Sequence, residues 1–158
     1  MNDTKHNTKH EEHDDSEGHE HHSFDSYRMR LPSPLTPEAE RVMSETIGCA
    51  IQVHRELGPG LLESIYRSAM QIELTDKGLS HETERPVCIK YRDIELRGQR
   101  VDLIVENLIV VELKGVAKLN EIHRAQVLSY LRATGLRGGL LINFHVPVLR
   151  NGLKRLVL

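Results

Sequence analysis

The stretch Arg100–Gly115, RVDLIVENLIVVELKG, decides how the rest of the chain is read. It consists of two apolar runs around a turn at Glu106–Asn107–Leu108, with charged residues entering at Asp102, Glu112 and Lys114. In an antiparallel pair, facing residues share a side of the sheet, and side chains alternate along each strand. Pairing Val105 with Ile109 puts Val101, Leu103, Val105, Ile109, Val111 and Leu113 on one side, all of them apolar. The other side carries Ile104, Leu108 and Val110 near the turn, and Arg100, Asp102, Glu112 and Lys114 at the far end. A slip of one residue would scatter these charges over the apolar side, so the pattern selects its own register.

That register sets Asp102 across from Glu112, with β-carbons about 4.5–5.5 Å apart. Two carboxylates so close on a half-buried sheet repel. A shared proton, a cationic side chain or a divalent metal must offset the repulsion. Lys114, two residues past Glu112, already supplies a cation. From the hairpin alone, a surface ion cluster and a metal-holding site both remain open.

Upstream, Thr36 followed by Pro37 reads as an N-cap and first helical residue, and Val42, Ile47, Ala50, Ile51 and Val53 predict an amphipathic helix to Leu57. Gly58–Pro59–Gly60 breaks it. A second helix is expected over about Leu61–Lys77, with a core stripe of Leu61, Leu62, Ile65, Ala69 and Ile72, and with Glu63, Tyr66 and Met70 on a neighbouring stripe. Gly78 closes it. A strand around Val87–Tyr91 precedes the hairpin. Downstream, Asn120 caps a third helix to Thr134 with core positions Ile122, Ala125, Leu128 and Leu131, while His123, Gln126 and Tyr130 lie on a different face. LLINFHV and NGLKRLVL supply two more strands. The order predicts an α/β fold on one central sheet.

The 158-residue chain has room for one domain, residues 36–158, after a tail at 1–35. The tail is polar and rich in His, Asp and Glu, as in HEEHDDSEGHEHH, and cannot bury enough apolar surface to offset the entropy of ordering. It is expected to be disordered. Its histidines, His6, His10, His13, His19, His21 and His22, offer loose metal binding without fixed ligand spacing. Eight of the 23 acidic and four of the 21 basic residues fall within the first 30, leaving 15 and 17 for the remainder, which is close to neutral. That balance neither supports nor excludes a phosphate-bearing partner. No apolar run is long enough to span a membrane and no hydrophobic signal segment follows Met1, so the cytoplasm is the expected compartment. Cys49 and Cys88 are expected to be buried small hydrophobes.

Taken in order, GLLESIY (Gly60, Glu63, Tyr66), Asp102 followed by Glu112-Leu113-Lys114, and Gln126 with Tyr130 in HRAQVLSYL resemble the GxxExxY proteins of the PD-(D/E)XK nuclease superfamily. The resemblance covers nearly all of residues 40–158. The proline of the superfamily name is absent, since Val101 precedes Asp102. The resemblance implies a restriction-endonuclease-like core, a central mixed β-sheet flanked by helices, with a divalent metal on its central strands. It also implies nucleic acid, DNA before RNA, as the partner. Many such nucleases pair to cut both strands, so a homodimer is a further expectation.

Magnesium, with manganese as an alternative, prefers hard oxygen ligands and keeps several waters. Asp102, Glu112 and the Leu113 carbonyl would supply three protein oxygens, and Lys114 would position or deprotonate the attacking water. Glu63 reads as a further acidic ligand by resemblance, or as a first-turn glutamate facing the helix dipole. Tyr66 is expected to pack, with its hydroxyl hydrogen-bonded near the site. Gln126 and Tyr130 either hold the scissile phosphate and orient Lys114 or form a polar flank, and His123 either touches phosphate or is a surface histidine. Three functions follow: a metal-dependent nuclease, a binding module that keeps the fold without turnover, and a metal-handling protein acting through its tail.

Overall fold

The structure, a computed structural model, describes residues 33–158. The His-rich segment, and with it the expectation of a disordered tail, lies outside them up to residue 32. Leu35, which composition groups with that tail, is buried against the first helix and the sheet. The elements are α1 (Pro37–Leu57), α2 (Glu63–Asp76), β1 (His81–Tyr91), β2 (Ile94–Val105), β3 (Ile109–Lys114), α3 (Glu121–Thr134), β4 (Gly138–Asn143) and β5 (Leu153–Val157). The strands form one sheet in the order β1-β2-β3-β4-β5. Only β3 and β4 run parallel, and α3 is the crossover between them.

Local chemistry sets the boundaries. Thr36 Oγ1 accepts from Ala39 N at 3.2 Å and starts α1. Asn120 Oδ1 accepts from Ile122 N and His123 N at the start of α3, and Gly135 ends that helix in the left-handed region at φ 73°. The hairpin turn places Glu106 and Asn107 both at φ 51°, and Leu108 N donates to Val105 O. The register is the one the alternation selects: Val105 faces Ile109, Ile104 faces Val110 and Leu103 faces Val111.

Two apolar layers sandwich the sheet. On one face α1 and α2 pack Val42, Met43, Tyr66 and Met70 against Leu103, Val105, Val111 and Phe144. On the other, α3 packs Val127, Tyr130 and Leu131 against Ile104, Val110 and Leu141. Covered on both faces, β4 is buried at all six positions, which is why it reads as a continuous apolar run. α3 approaches so closely that a β-carbon at Gly139 would meet Val127 Cγ1 at 2.7 Å.

Both helices that flank the site are turned away from the expected orientation. On α2, Tyr66, Met70 and Leu74 are fully buried, whereas Leu62, Ile65 and Ile72 are 74%, 47% and 62% exposed. The aliphatic stripe loses to the tyrosine because Tyr66 stacks on Phe144 with ring centroids 4.3 Å apart. Its hydroxyl is also satisfied, donating to Gly58 O at 2.7 Å and accepting from Leu61 N at 3.1 Å. On α3, Val127, Tyr130 and Leu131 are buried while Ile122 is 76% exposed, so of the expected stripe Leu131 lies in the core and Leu128 packs half-buried against it. Two smaller differences concern β1 and β2. Val101 packs with Ile104 and Val110 rather than with Leu103, because alternation breaks at Asp102. Cys88 is exposed, at the register shift between Val87 and Ile89.

Candidate active site

The site forms where β2 and β3 part. Their backbone pairing ends at Leu103 and Val111, so Asp102 and Glu112 do not face each other as a regular ladder pair. Asp102 instead turns its carboxylate toward β3, where Oδ2 accepts from Leu113 N at 2.9 Å. A side chain thus takes the place of a main-chain acceptor. Lys114 O accepts from Phe144 N, so the carbonyls of β3 alternate between β4 and β2. Leu113, one residue back, therefore turns its carbonyl to the β2 side, as it does its N–H.

Glu112, one residue before Leu113 on β3, is 4% exposed. Its Oε1 accepts from Lys114 Nζ at 2.6 Å, and its Oε2 is buried without a hydrogen-bond partner among the described residues. Burial, then the negative charge of Asp102, push its pKa up from the ordinary 4.5 to about 7, against the hydrogen bond and charge of Lys114. Burial works to lower the pKa of the Lys114 ammonium. The hydrogen bond and charge of Glu112, with Glu63 and Asp102 adding to them, outweigh burial and raise it.

Glu63 opens α2 and ties it to the end of β3, since its Oε1 accepts from Gly115 N at 2.8 Å. It contributes negative charge to Glu112 and Lys114 while its own carboxylate serves as a strut. From α3, Gln126 Nε2 donates to the Tyr130 hydroxyl at 2.8 Å, which donates to Gln99 Oε1 at 3.0 Å. Burial raises the Tyr130 pKa, the Gln126 hydrogen bond opposes that, and the charges of Glu112, Lys114 and Asp102 all reach it. A hollow of about 440 Å³ beside this relay is lined by Ile89, Gln99, Ile122, Gln126 and Tyr130 among others.

The structure therefore brings Asp102, Glu112, Lys114 and Glu63 together, with Tyr130 and Gln126 behind them. It does not bring Tyr66 or His123 into the site. The Tyr66 hydroxyl holds the Gly58–Leu61 loop, and His123 Nδ1 accepts from Asn120 N at 3.2 Å, completing a capping box. Three residues were not expected. Arg67 Nη1 lies 2.8 Å from Asp102 Oδ1. Gln99 Oε1 accepts the hydrogen bond of the Tyr130 hydroxyl. Asn143 brackets the loop after β3, accepting from Val116 N and donating to Val116 O. Of these, Arg67 had a sequence signal, as the cation next to Tyr66 on the helix that carries Glu63.

The donor set suits a hard divalent ion. The buried Glu112 Oε2, near the charge of Asp102 and without a hydrogen-bond partner among the described residues, leaves an oxygen open to a cation. Among the described residues, no group of three or more His, Cys, Asp or Glu side chains is arranged to hold a metal by itself. The fit therefore rests on Asp102, Glu112 and the Leu113 carbonyl, with water completing the shell, a pattern in keeping with magnesium's use of one or two carboxylates.

A mixed sheet with two helices on one face and one on the other, carrying Asp and Glu-x-Lys where two central strands part, defines a nuclease-like α/β domain. A model of the PD-(D/E)XK nuclease superfamily matches residues 40–156, and the chain belongs to that superfamily. No curated protein and no solved structure matched the chain. No helix among the described residues is long and apolar enough to cross a membrane.

Proposed function

We propose that this chain is a metal-dependent nuclease that hydrolyses phosphodiester bonds, in DNA before RNA, with Asp102, Glu112, Lys114 and Glu63 as its acidic and basic centre. The observation that carries this reading is the buried, unpartnered Glu112 oxygen at the parted strands, next to a second carboxylate and an ammonium. Magnesium, or manganese in its place, held by Asp102, Glu112 and the Leu113 carbonyl, would supply Lewis-acid charge to the scissile phosphate. Lys114 is 14% exposed and donates to Glu112, so it is poised to orient the attacking water and to donate to a phosphate oxygen as charge builds there. Water attack forms a new P–O bond as the bond to the leaving oxygen breaks. The Gln126–Tyr130–Gln99 relay fixes the α3 side of the site and holds the phosphate in line. Glu63 keeps Gly115, and with it Lys114, in place.

A second reading, a nucleic-acid-binding module without turnover, draws on the fact that Arg67 and Lys114 already pair with the two carboxylates. One assay separates the two. The full chain is incubated with labelled single-stranded, double-stranded and branched DNA and RNA, with magnesium, manganese or chelator. The nuclease reading expects metal-dependent product that Asp102→Asn, Glu112→Gln or Lys114→Ala lowers by about a hundred- to a thousandfold. Undiminished cleavage by Asp102→Asn and Lys114→Ala would contradict the residue roles. Salt-sensitive binding with no product at any metal concentration would favour the module.

A further inference from the structure

Arg67 follows Tyr66 on α2. With Tyr66 held in the core by Phe144, a turn of about 100° per residue carries Arg67 round toward β2. There its guanidinium spans two carboxylates, with Nη1 2.8 Å from Asp102 Oδ1 and Nη2 3.6 Å from Glu84 Oε1. The two partners differ. The Asp102 side chain is 18% exposed and belongs to the site, whereas that of Glu84 is 52% exposed. Glu84 sits on β1 between Thr83, which pairs with Leu103, and Arg85, which pairs with Val101, so it stands across from Asp102. Its backbone is held at φ 47°, a conformation few side chains adopt.

We propose that Arg67 is a displaceable plug: it holds Asp102 while the site lacks its divalent ion, and it moves onto Glu84 when the ion arrives. This rests on the reading of Asp102 and Glu112 as ion ligands. Asp102 has two oxygens, and one is committed to Leu113 N. The other carries the Arg67 guanidinium, whose positive charge opposes a cation arriving on the same oxygen. A guanidinium cannot shed its charge, and a divalent ion on the same oxygen would repel it. Displacement would strand a cation only 22% exposed unless a second carboxylate were at hand, and Glu84 is already within ion-pair reach. Arg67 is thus a positioning residue, acting through Asp102. A purely structural bridge makes the opposite prediction, since its loss would misplace Asp102 and weaken the ion.

The test is calorimetric titration of magnesium into the full chain and its Arg67→Gln, Glu84→Gln, Arg67→Gln/Glu84→Gln and Asp102→Asn variants, each checked for folding by circular dichroism. Asp102→Asn reports whatever the N-terminal histidines and acids bind. The plug predicts that Arg67→Gln tightens magnesium about tenfold. It predicts that Glu84→Gln weakens magnesium about threefold in the parent chain and leaves it unchanged beside Arg67→Gln. Unchanged or weaker binding by Arg67→Gln would overturn the plug while leaving the ion site standing, provided Asp102→Asn removes the component above the tail's background. Should Arg67→Gln fail to fold, Glu84→Gln decides alone, weaker binding supporting the plug and unchanged binding overturning it. Magnesium binding as tight and as abundant in Asp102→Asn as in the parent, or none in any chain, would overturn the ion site and the plug with it.

Discussion

At its turn, the β2–β3 hairpin pairs Val105 with Ile109 and Ile104 with Val110, all four buried. At the other end the same strands have parted around Asp102 and Glu112, and a carboxylate oxygen is buried without a partner. The turn end gains stability from every residue it buries, because apolar side chains lose nothing on leaving water. The parted end works against stability, because a buried charge short of partners costs free energy that an added cation or a proton recovers. Tyr66 shows that burying a polar group need not carry this cost, since both hydrogen-bonding roles of its hydroxyl are filled. The difference between Tyr66 and Glu112 separates polar groups that build the fold from those that await a ligand.

The largest effect that sharpens this contrast comes from the turn end. Ile109→Ala, fully buried, is expected to destabilise the protein by about 2–5 kcal/mol in urea unfolding. Cleavage by the molecules that remain folded should be unchanged. Loss of metal-dependent activity at full folding would erase the division between the two ends.

The parted end predicts a pH effect of opposite sense to ordinary acid denaturation. The folded pKa of Glu112, about 7, lies above its ordinary 4.5, so between these values the folded chain binds more protons than the unfolded chain. Stability in chelator therefore falls as pH rises through that window, by about 1–3 kcal/mol. Glu112→Gln should flatten this dependence, and unfolding curves at pH 5, 6, 7 and 8 measure it. A parent chain that gains stability from pH 5 to 8 as its Glu112→Gln variant does would break the contrast.

Smaller still is Tyr66→Phe. Leaving Leu61 N and Gly58 O without their partner is expected to cost about 1–2 kcal/mol in thermal unfolding, with cleavage retained. A large loss of activity at unchanged stability would move Tyr66 from the scaffold to the chemistry.

The hairpin register was legible because alternation allows only one pairing that keeps charge off an apolar face. The helix boundaries were legible through Thr36, Pro37, Asn120, Gly78 and Gly135, whose effects are local. Which face of α2 would be buried was not. Leu62, Ile65 and Ile72 share a helical spacing as apolar as that of Tyr66, Met70 and Leu74. The choice is made by Phe144, far along the chain, through a stacking contact that no local pattern announces. The same rotation brings Arg67 to Asp102, which is why that ion pair was missed. Gln99 escaped for a related reason, as its partner Tyr130 arrives from α3. His123 is different: with Asn120 read as the cap, its place three residues later made a capping box readable from the sequence.

The central claim is that Glu112 Oε2 is the open ligand of a divalent-ion site, and thermal unfolding of the full chain at pH 8, in chelator and in excess magnesium, tests it most directly. The parent chain should be stabilised by magnesium, by about 2.7 kcal/mol at a concentration of a hundred dissociation constants. Glu112→Gln should start out more stable in chelator and gain nothing from the metal. Equal stabilisation of both chains by magnesium, or of neither, would contradict the account.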